Sequence, residues 1–357
     1  MKILIVELNK YHTETFPIHS NLLPAFFGED DIEFHYMCHE DNARQLNDVY
    51  ENTAPVVSNF IYFLVKNTGL RPWYFKRKIQ GTIDRIIADA VVFNSIEPER
   101  NRKVFNAVKA KRKIAVIHNP KRFSLRKNDN EDFFVISKTV FEAFKDALPL
   151  SGYLLPFFKP YPSEPSVKNS GKTMIGIQGL IDFRRRDYNF LVKLAITLKK
   201  QGISNVLFNI IGANNKKGGK KLRDMIREDA LSEYFRLHEK LVDKAFYSEI
   251  ETCDLLMPLL GPLQESYLKE KTSATLSHAA AYSKPMLLSR SNAVAWELDE
   301  GNAFLYNDLE SCAQLFKTDN PEGVHCSDII QKKQKNFTQW AAAEITKNTE
   351  MLRNKPV

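Results

Sequence analysis

The segment Lys269-Glu-Lys-Thr-Ser-Ala-Thr-Leu-Ser-His-Ala-Ala-Ala-Tyr-Ser-Lys-Pro-Met-Leu-Leu288 crowds cations and hydroxyls at the start of a small-residue helix. Free backbone N–H groups and the positive dipole end make such a helix start a seat for an anion such as phosphate. Lys271, Thr272, Ser273 and Ala274 form the seat, Ala279 to Ala281 permit close packing, and Pro285 ends the helical run before Met286-Leu287-Leu288. A second group of this kind is Gln178-Gly-Leu-Ile-Asp-Phe-Arg-Arg-Arg-Asp-Tyr188. Gly179 permits an unusual backbone angle. Arg184, Arg185 and Arg186 offer guanidinium forks for phosphate oxygens. Three arginines at a helix start oppose its dipole, so an anionic ligand explains them better than a merely solvated turn.

Weaker signals accompany these two. Gly212-Ala-Asn-Asn-Lys-Lys-Gly-Gly-Lys220 resembles a phosphate cradle, yet matches neither G-x-G-x-x-G nor the P-loop, and Gly218-Gly219 is better read as a flexible surface turn. Leu237-His-Glu-Lys-Leu-Val242 brings His238 and Leu241 to a strand end, where they line a base-binding slot or an ordinary loop. His118 closes the strand Lys113–His118 before Asn119-Pro120, as a catalytic group facing ligand or as a satisfied sheet-edge histidine. After the first strand, Tyr11, His12, Glu14 and His19 are available to a second substrate, or serve as caps and surface polar groups. No Gly-rich fingerprint stands there, which counts against a dinucleotide oxidoreductase.

These groups need elements to hold them, and the chain alternates strand and helix nearly throughout. Lys2–Leu8, Ile32–Cys38, Ala90–Asn94, Lys113–His118, Phe133–Ser137 and Gly152–Pro156 read as strands; Asp41–Val65, Pro72–Ala88, Pro98–Lys109 and Val140–Leu148 read as helices. Lys159–Lys172 is rich in proline, serine and glycine and reads as a linker. The alternation then restarts with strands Thr173–Gln178, Val206–Ile211, Phe235–His238 and Leu255–Leu259. Helices are expected at Tyr188–Gln201, Lys220–Asp229, Phe246–Cys253 and Asp328–Lys347. The predicted fold is α/β with two Rossmann-like domains facing across a cleft. Its expected divisions are residues 1–158, a linker 159–172, residues 173–326, and a last helix 327–357 that crosses back to the first domain through Phe337 and Trp340.

The chain has 357 residues, 43% hydrophobic and 26% charged, as expected for a globular protein of two domains. No apolar run is long enough to span a bilayer, and Met1–Leu8 lacks the length and flanks of a signal peptide. Four scattered cysteines without C-x-x-C fit free thiols in a cytoplasmic protein and disfavour a disulfide framework or a zinc site. The net charge of +8 is concentrated in Arg71–Arg85, Lys109–Lys127 and Lys216–Arg227. In the first cluster Trp73, Tyr74 and Phe75 adjoin Lys76, Arg77 and Lys78, a mixture suited to peripheral contact with an anionic membrane or to an ordinary packed helix. Nothing resembles a nucleic-acid motif, so no nucleic-acid partner is expected.

In its second half the chain resembles the C-terminal donor domain of GT-B glycosyltransferases, especially the large retaining group of bacterial polysaccharide and lipopolysaccharide enzymes. The resemblance rests on an ordered set: a strand, Gly179 and an Arg-rich turn; a strand ending in Ile211-Gly212; Leu241–Ile250; the strand Cys253–Pro258; and Lys271-Thr-Ser-Ala followed by Ala279 to Pro285. It covers Gly171–Ser289 well and the first half only in texture. It implies transfer of a sugar from a nucleotide diphosphate donor to a glycan or lipid-linked acceptor, with no cofactor and no metal. Arg185 and Lys271 would then act on the leaving diphosphate, where negative charge builds in the transition state. Gly179, Arg184, Arg186, Gly212, His238, Leu241, Glu270, Thr272, Ser273, Ala274 and His278 would hold the donor. Two departures stand out. The family's E-x7-E pair becomes Glu270 and His278, and Leu180 stands where an arginine commonly follows the glycine. A nucleotide-sugar epimerase or phosphorylase of the same architecture, and a non-catalytic basic membrane or nucleic-acid adaptor, are the alternatives.

Overall fold

The computed structural model describes residues 1–9, 16–46, 52–57, 70–97, 99–123, 127–157, 160, 171–212, 217–238, 241, 243–261, 270, 272–317, 320, 323–325 and 327–354. The chain forms two compact units: Met1–Pro156 with Glu270–Thr272 and Glu344–Val357, and Phe157–Lys269 with Ser273–Ala343. Most of the expected linker lies outside the described residues.

The first unit holds strands β1 (Lys2–Val6), β2 (Glu33–His39), β3 (Thr53–Val57), β4 (Ala90–Phe93), β5 (Arg112–Ile117), β6 (Glu131–Val135) and β7 (Gly152–Tyr153). They form one sheet in the order β3-β2-β1-β4-β5-β6-β7, with every pair parallel. Helices α1 (Phe16–Phe27), α2 (Glu40–Leu46), α3 (Leu70–Ile86), α4 (Glu99–Ala107) and α5 (Lys138–Phe144) connect them. The strands are apolar runs because parallel sheets are covered on both faces. Ile3, Ile5, Val92, Ile114 and Val116 pack on one face with Phe16, Leu22, Leu23 and Phe26 of α1.

One local reading is corrected, and one helix had no reading. Thr53–Val57, expected inside a helix spanning Asp41–Val65, is an edge strand beside β2. Pro55 cannot donate a helical hydrogen bond, and an edge strand tolerates it. Helix α1 carries no clear periodic signature, since Pro17 lies in its first turn and Pro24 inside it. Tertiary burial of Phe16, Leu22, Leu23 and Phe26 holds this helix despite the missing donors.

The second unit repeats the pattern with β8 (Thr173–Gln178), β9 (Val206–Ile211), β10 (Phe235–Leu237), β11 (Leu255–Leu256), β12 (Met286–Ser289) and β13 (Ala303–Tyr306). Its order is β10-β9-β8-β11-β12-β13, again all parallel. Helices α6 (Tyr188–Lys200), α7 (Lys217–Glu228), α8 (Asp243–Thr252), α9 (Ala274–Ala281), α10 (Arg290–Ala295) and α11 (Leu309–Gln314) join the strands. Tyr188, Phe208, Tyr234, Phe304 and Phe316 are almost fully buried in its core. Each of the three phenylalanines contributes about 1.5–3 kcal/mol by leaving water. A final helix, α12 (Ser327–Arg353), contributes residues to both units.

Both sheets are therefore α/β Rossmann-like layers, and in each the strand order reverses beside the first strand. Ligands of such sheets bind beyond the carboxyl ends at that reversal. The relevant residues are those following β1 and β4 in the first unit, and those following β8 and β11 in the second.

Candidate active site

In the second unit β8 ends at Gln178, and Gly179 turns with φ +96°, a conformation side chains disfavour. The turn is pinned on two sides. Gly179 N–H donates to Ile211 O at 2.8 Å, and Asp187 N–H donates to Leu259 O at 2.9 Å. A Cβ on Gly212 would lie 2.0 Å from the Gly179 carbonyl oxygen, and one on Gly218 would lie 2.0 Å from that of Ile181. Two glycines thus let the end of β9 and the start of α7 touch the turn backbone.

The three arginines have different environments. Arg184 folds back on Asp182, with Nε and an Nη at 3.2 and 3.1 Å from its carboxylate. That side-chain hydrogen bond is the main reason the Asp182 carboxyl sits below the usual carboxylate range. Arg185 is exposed and 3.8 Å from the same carboxylate. Arg186 instead lies over Gly179, with an Nη 3.0 Å from the position a Cβ would take there. Among the described residues its buried Nε has no hydrogen-bond partner, nor does the Tyr188 hydroxyl, which burial pushes up to about 12.

Helix α9 starts beside the other strand-end group. Ser273 is its N-cap and accepts from Thr275 N–H at 3.3 Å. Thr275 is wholly buried, and its hydroxyl has no partner. One turn on, His278 Nδ1 donates to Ala274 O at 2.7 Å and lies 2.8 Å from the Gln178 amide. Its ring packs against Phe246 and Tyr247, with centroids 5.8 and 5.9 Å away. His238 is held differently: its Nε2–H donates to Asn209 Oδ1 at 2.7 Å. Asn209 and Arg236 both donate to Glu249, at 2.9 and 2.8 Å. Burial lowers the His238 pKa, Glu249 opposing and Arg236 adding to the shift. Leu241 is half-buried.

In the first unit a buried polar network fills the reversal point. Glu7, His19, Asn94, Ser95 and Asn101 are all fully buried. Asn94 donates to Glu7 Oε2 at 2.8 Å and accepts from His19 Nε2 at 2.7 Å. Glu97 accepts from Asn119 N–H at 2.6 Å and from the Ser95 hydroxyl at 3.0 Å. His118 Nε2–H donates to the Asn94 carbonyl at 2.8 Å. Glu270 belongs to this unit and accepts from Lys121 at 2.8 Å; Thr272 follows it, half-buried. Tyr11, His12, Glu14 and Lys271 lie outside the described residues.

Residue-type reasoning passed over Gln178, Thr275, Tyr188, Glu7, Asn94 and Glu97. A usable signal exists for three of them: Glu7, Asn94 and Gln178 are the first polar residues closing apolar runs. Among the described residues no helix is long and apolar enough to cross a membrane, and no group of three or more His, Cys, Asp or Glu could hold a metal ion. Cys38, Cys253 and Cys312 are buried free thiols, and burial raises the pKa of each. They are poor nucleophiles.

Two parallel Rossmann-like sheets, each with its reversal beside the first strand, define the GT-B fold. No family model matches the chain, and no curated protein matches it. Solved structures do. HepE of Anabaena, crystallised with UDP and glucose, shares 15% identity over 99% of this chain and 98% of its own, with a TM-score of 0.68. Sucrose-phosphate synthase of Thermosynechococcus elongatus shares 10% identity over 98% of both chains, with a TM-score of 0.61. WaaG, a glycosyltransferase involved in lipopolysaccharide biosynthesis, shares 9% identity over 99% of this chain and all of its own, with a TM-score of 0.55.

Proposed function

We propose that the chain is a glycosyltransferase moving a hexosyl group from a nucleoside diphosphate sugar to a glycan or lipid-linked acceptor. Retention of configuration, independence of metal ions, and a role in surface polysaccharide or lipopolysaccharide synthesis are part of the proposal. The observation that carries it is the Arg186 guanidinium held over the Gly179 turn at the carboxyl end of β8. HepE, similar in fold, has been crystallised with UDP-glucose, which makes a uridine donor the first to test.

In this reading the bond from the anomeric carbon to the diphosphate oxygen breaks, and the electron pair passes to the leaving diphosphate. Arg186 and the α9 N-terminus stabilise that charge, with Arg185 and Lys271 adding to the field. Arg184 is spent on Asp182. The acceptor hydroxyl forms the new bond to the anomeric carbon, and its proton passes to the departing diphosphate oxygen. A lipid-linked acceptor and peripheral membrane contact are supported by Trp73, which is 59% exposed on the basic helix α3.

The test is calorimetry with UDP and UDP-glucose, then turnover with and without EDTA. Arg186→Ala is expected to weaken UDP binding about tenfold or more, the scale of one charge-assisted contact. Arg184→Ala should change it less than threefold, and EDTA should leave turnover intact. Failure of a panel of nucleoside diphosphates to bind would sink the reading.

A further inference from the structure

A second recess lies in the first unit, formed by α3 and the sheet face of β1, β2 and β3, with a volume of about 460 Å³. Leu4 and Met37 line it from the sheet, and Arg77, Lys78 and Arg85 line it from the helix. Among the described residues no aspartate or glutamate lines it. Arg77, Gly81 and Arg85 stand four residues apart, so they share one stripe of the helix, with the two guanidinium groups flanking the glycine. None of the three cations forms an ion pair among the described residues, although Arg77 lies 5.7 Å from the centroid of the Trp73 ring.

Gly81 is the informative residue. A helix-interior glycine costs about 1 kcal/mol relative to alanine. Here a Cβ would meet nothing within 4 Å, so among the described residues no close approach of another segment requires the glycine. Its effect is to leave the recess open between two arginines. A flat bilayer would need no such hollow, and a phosphate ion alone would fill a small part of it. Thr82 and Asn52 add hydroxyl and amide groups to the apolar lining. Pockets of about 300–1,000 Å³ take small organic ligands held by a few polar groups.

We propose that this recess is a binding site for a sugar monophosphate, its phosphate between Arg77 and Arg85 and its ring on the sheet face beside Gly81. The site is separate from the strand ends described above and does not depend on the reading of the donor site. The test uses the full chain with hexose and pentose monophosphates, inorganic phosphate, the neutral sugars and phosphatidylglycerol vesicles. Saturable binding of at least one sugar monophosphate is expected, at least tenfold tighter than inorganic phosphate. It should fall tenfold or more in Gly81→Leu, which fills the recess without changing charge, and in the exposed double variant R77E/R85E. UDP binding should be unchanged in both. If Gly81→Leu melts below the parent protein, the charge variant decides. Binding by vesicles alone, by no sugar monophosphate, or with equal strength in the charge variant overturns the proposal.

Discussion

At the scale of single residues, His19 ties stability to pH although it is fully buried from water. Burial lowers its pKa from 6.5 to about 4, with the Asn94 hydrogen bond opposing, and its Nδ1 has no partner. The folded state therefore keeps His19 neutral while the unfolded chain takes up a proton below about 6.5. Its contribution is fully present above that value and is lost as pH falls through the folded value. Between pH 6.5 and 4 the loss should reach about 3 kcal/mol, since one pKa unit is worth about 1.4 kcal/mol. Denaturant melts across this range should show that slope, and His19→Gln should flatten it; an unchanged slope in the variant would remove the assignment. The same residue shows why part of the site stays hidden in a sequence. Asn94 stands 75 residues away from His19 and Gln178 stands 100 away from His278, so neither pair leaves a local pattern.

At the scale of elements, the crossing of β8, β9 and α7 rests on glycines. Gly212→Ala would drive a Cβ to 2.0 Å from a backbone oxygen, where no side chain can yield. A loss of about 3 kcal/mol is expected, with weakened UDP binding because the Gly179 turn must shift. Gly81→Ala, facing open space, should instead gain up to about 1 kcal/mol. Paired chemical melts decide both. Elements with strong local signals were legible: Lys2–Val6, Arg112–Ile117 and Thr173–Gln178 are apolar runs that end at polar groups, and Val206–Ile211 is one that ends at Gly212. The Ser273 cap at the start of α9 was legible for the same reason, as a hydroxyl ahead of a small-residue run. The strand Ala303–Tyr306 and the helices α10 and α11 were not, because their runs of four to six residues carry too little pattern. The three arginines looked equivalent in sequence; the Asp182 carboxylate and the Gly179 turn make them unequal.

At the scale of the whole molecule, the last residues complete the first unit. Asn348 is fully buried, donates to Tyr153 O at 2.9 Å, and accepts from Leu155 N–H at 3.1 Å. Leu352 joins the same core, and Met351 packs against it. Asn348→Leu should lower stability by about 2–3 kcal/mol, the scale of two lost hydrogen bonds and their desolvated groups. Truncation after Ala343 should cost more and should expose hydrogen-exchange-protected amides in Met1–Pro156 before those of Phe157–Ala343. Equal loss of protection in both units would contradict this division.

Tyr153 belongs to the outermost described strand of its sheet, paired among the described residues with β6 alone. Asn348 binds the backbone flanking this outermost strand, and an unprotected edge invites pairing with other chains. That guard is synthesised 193 residues after Leu155. At about 5–20 residues per second, the nascent first half waits roughly 10–40 s for it. Through that interval the ribosome-bound chain carries an open β edge, and expression yield should depend on translation speed and on holdase chaperones that shield it.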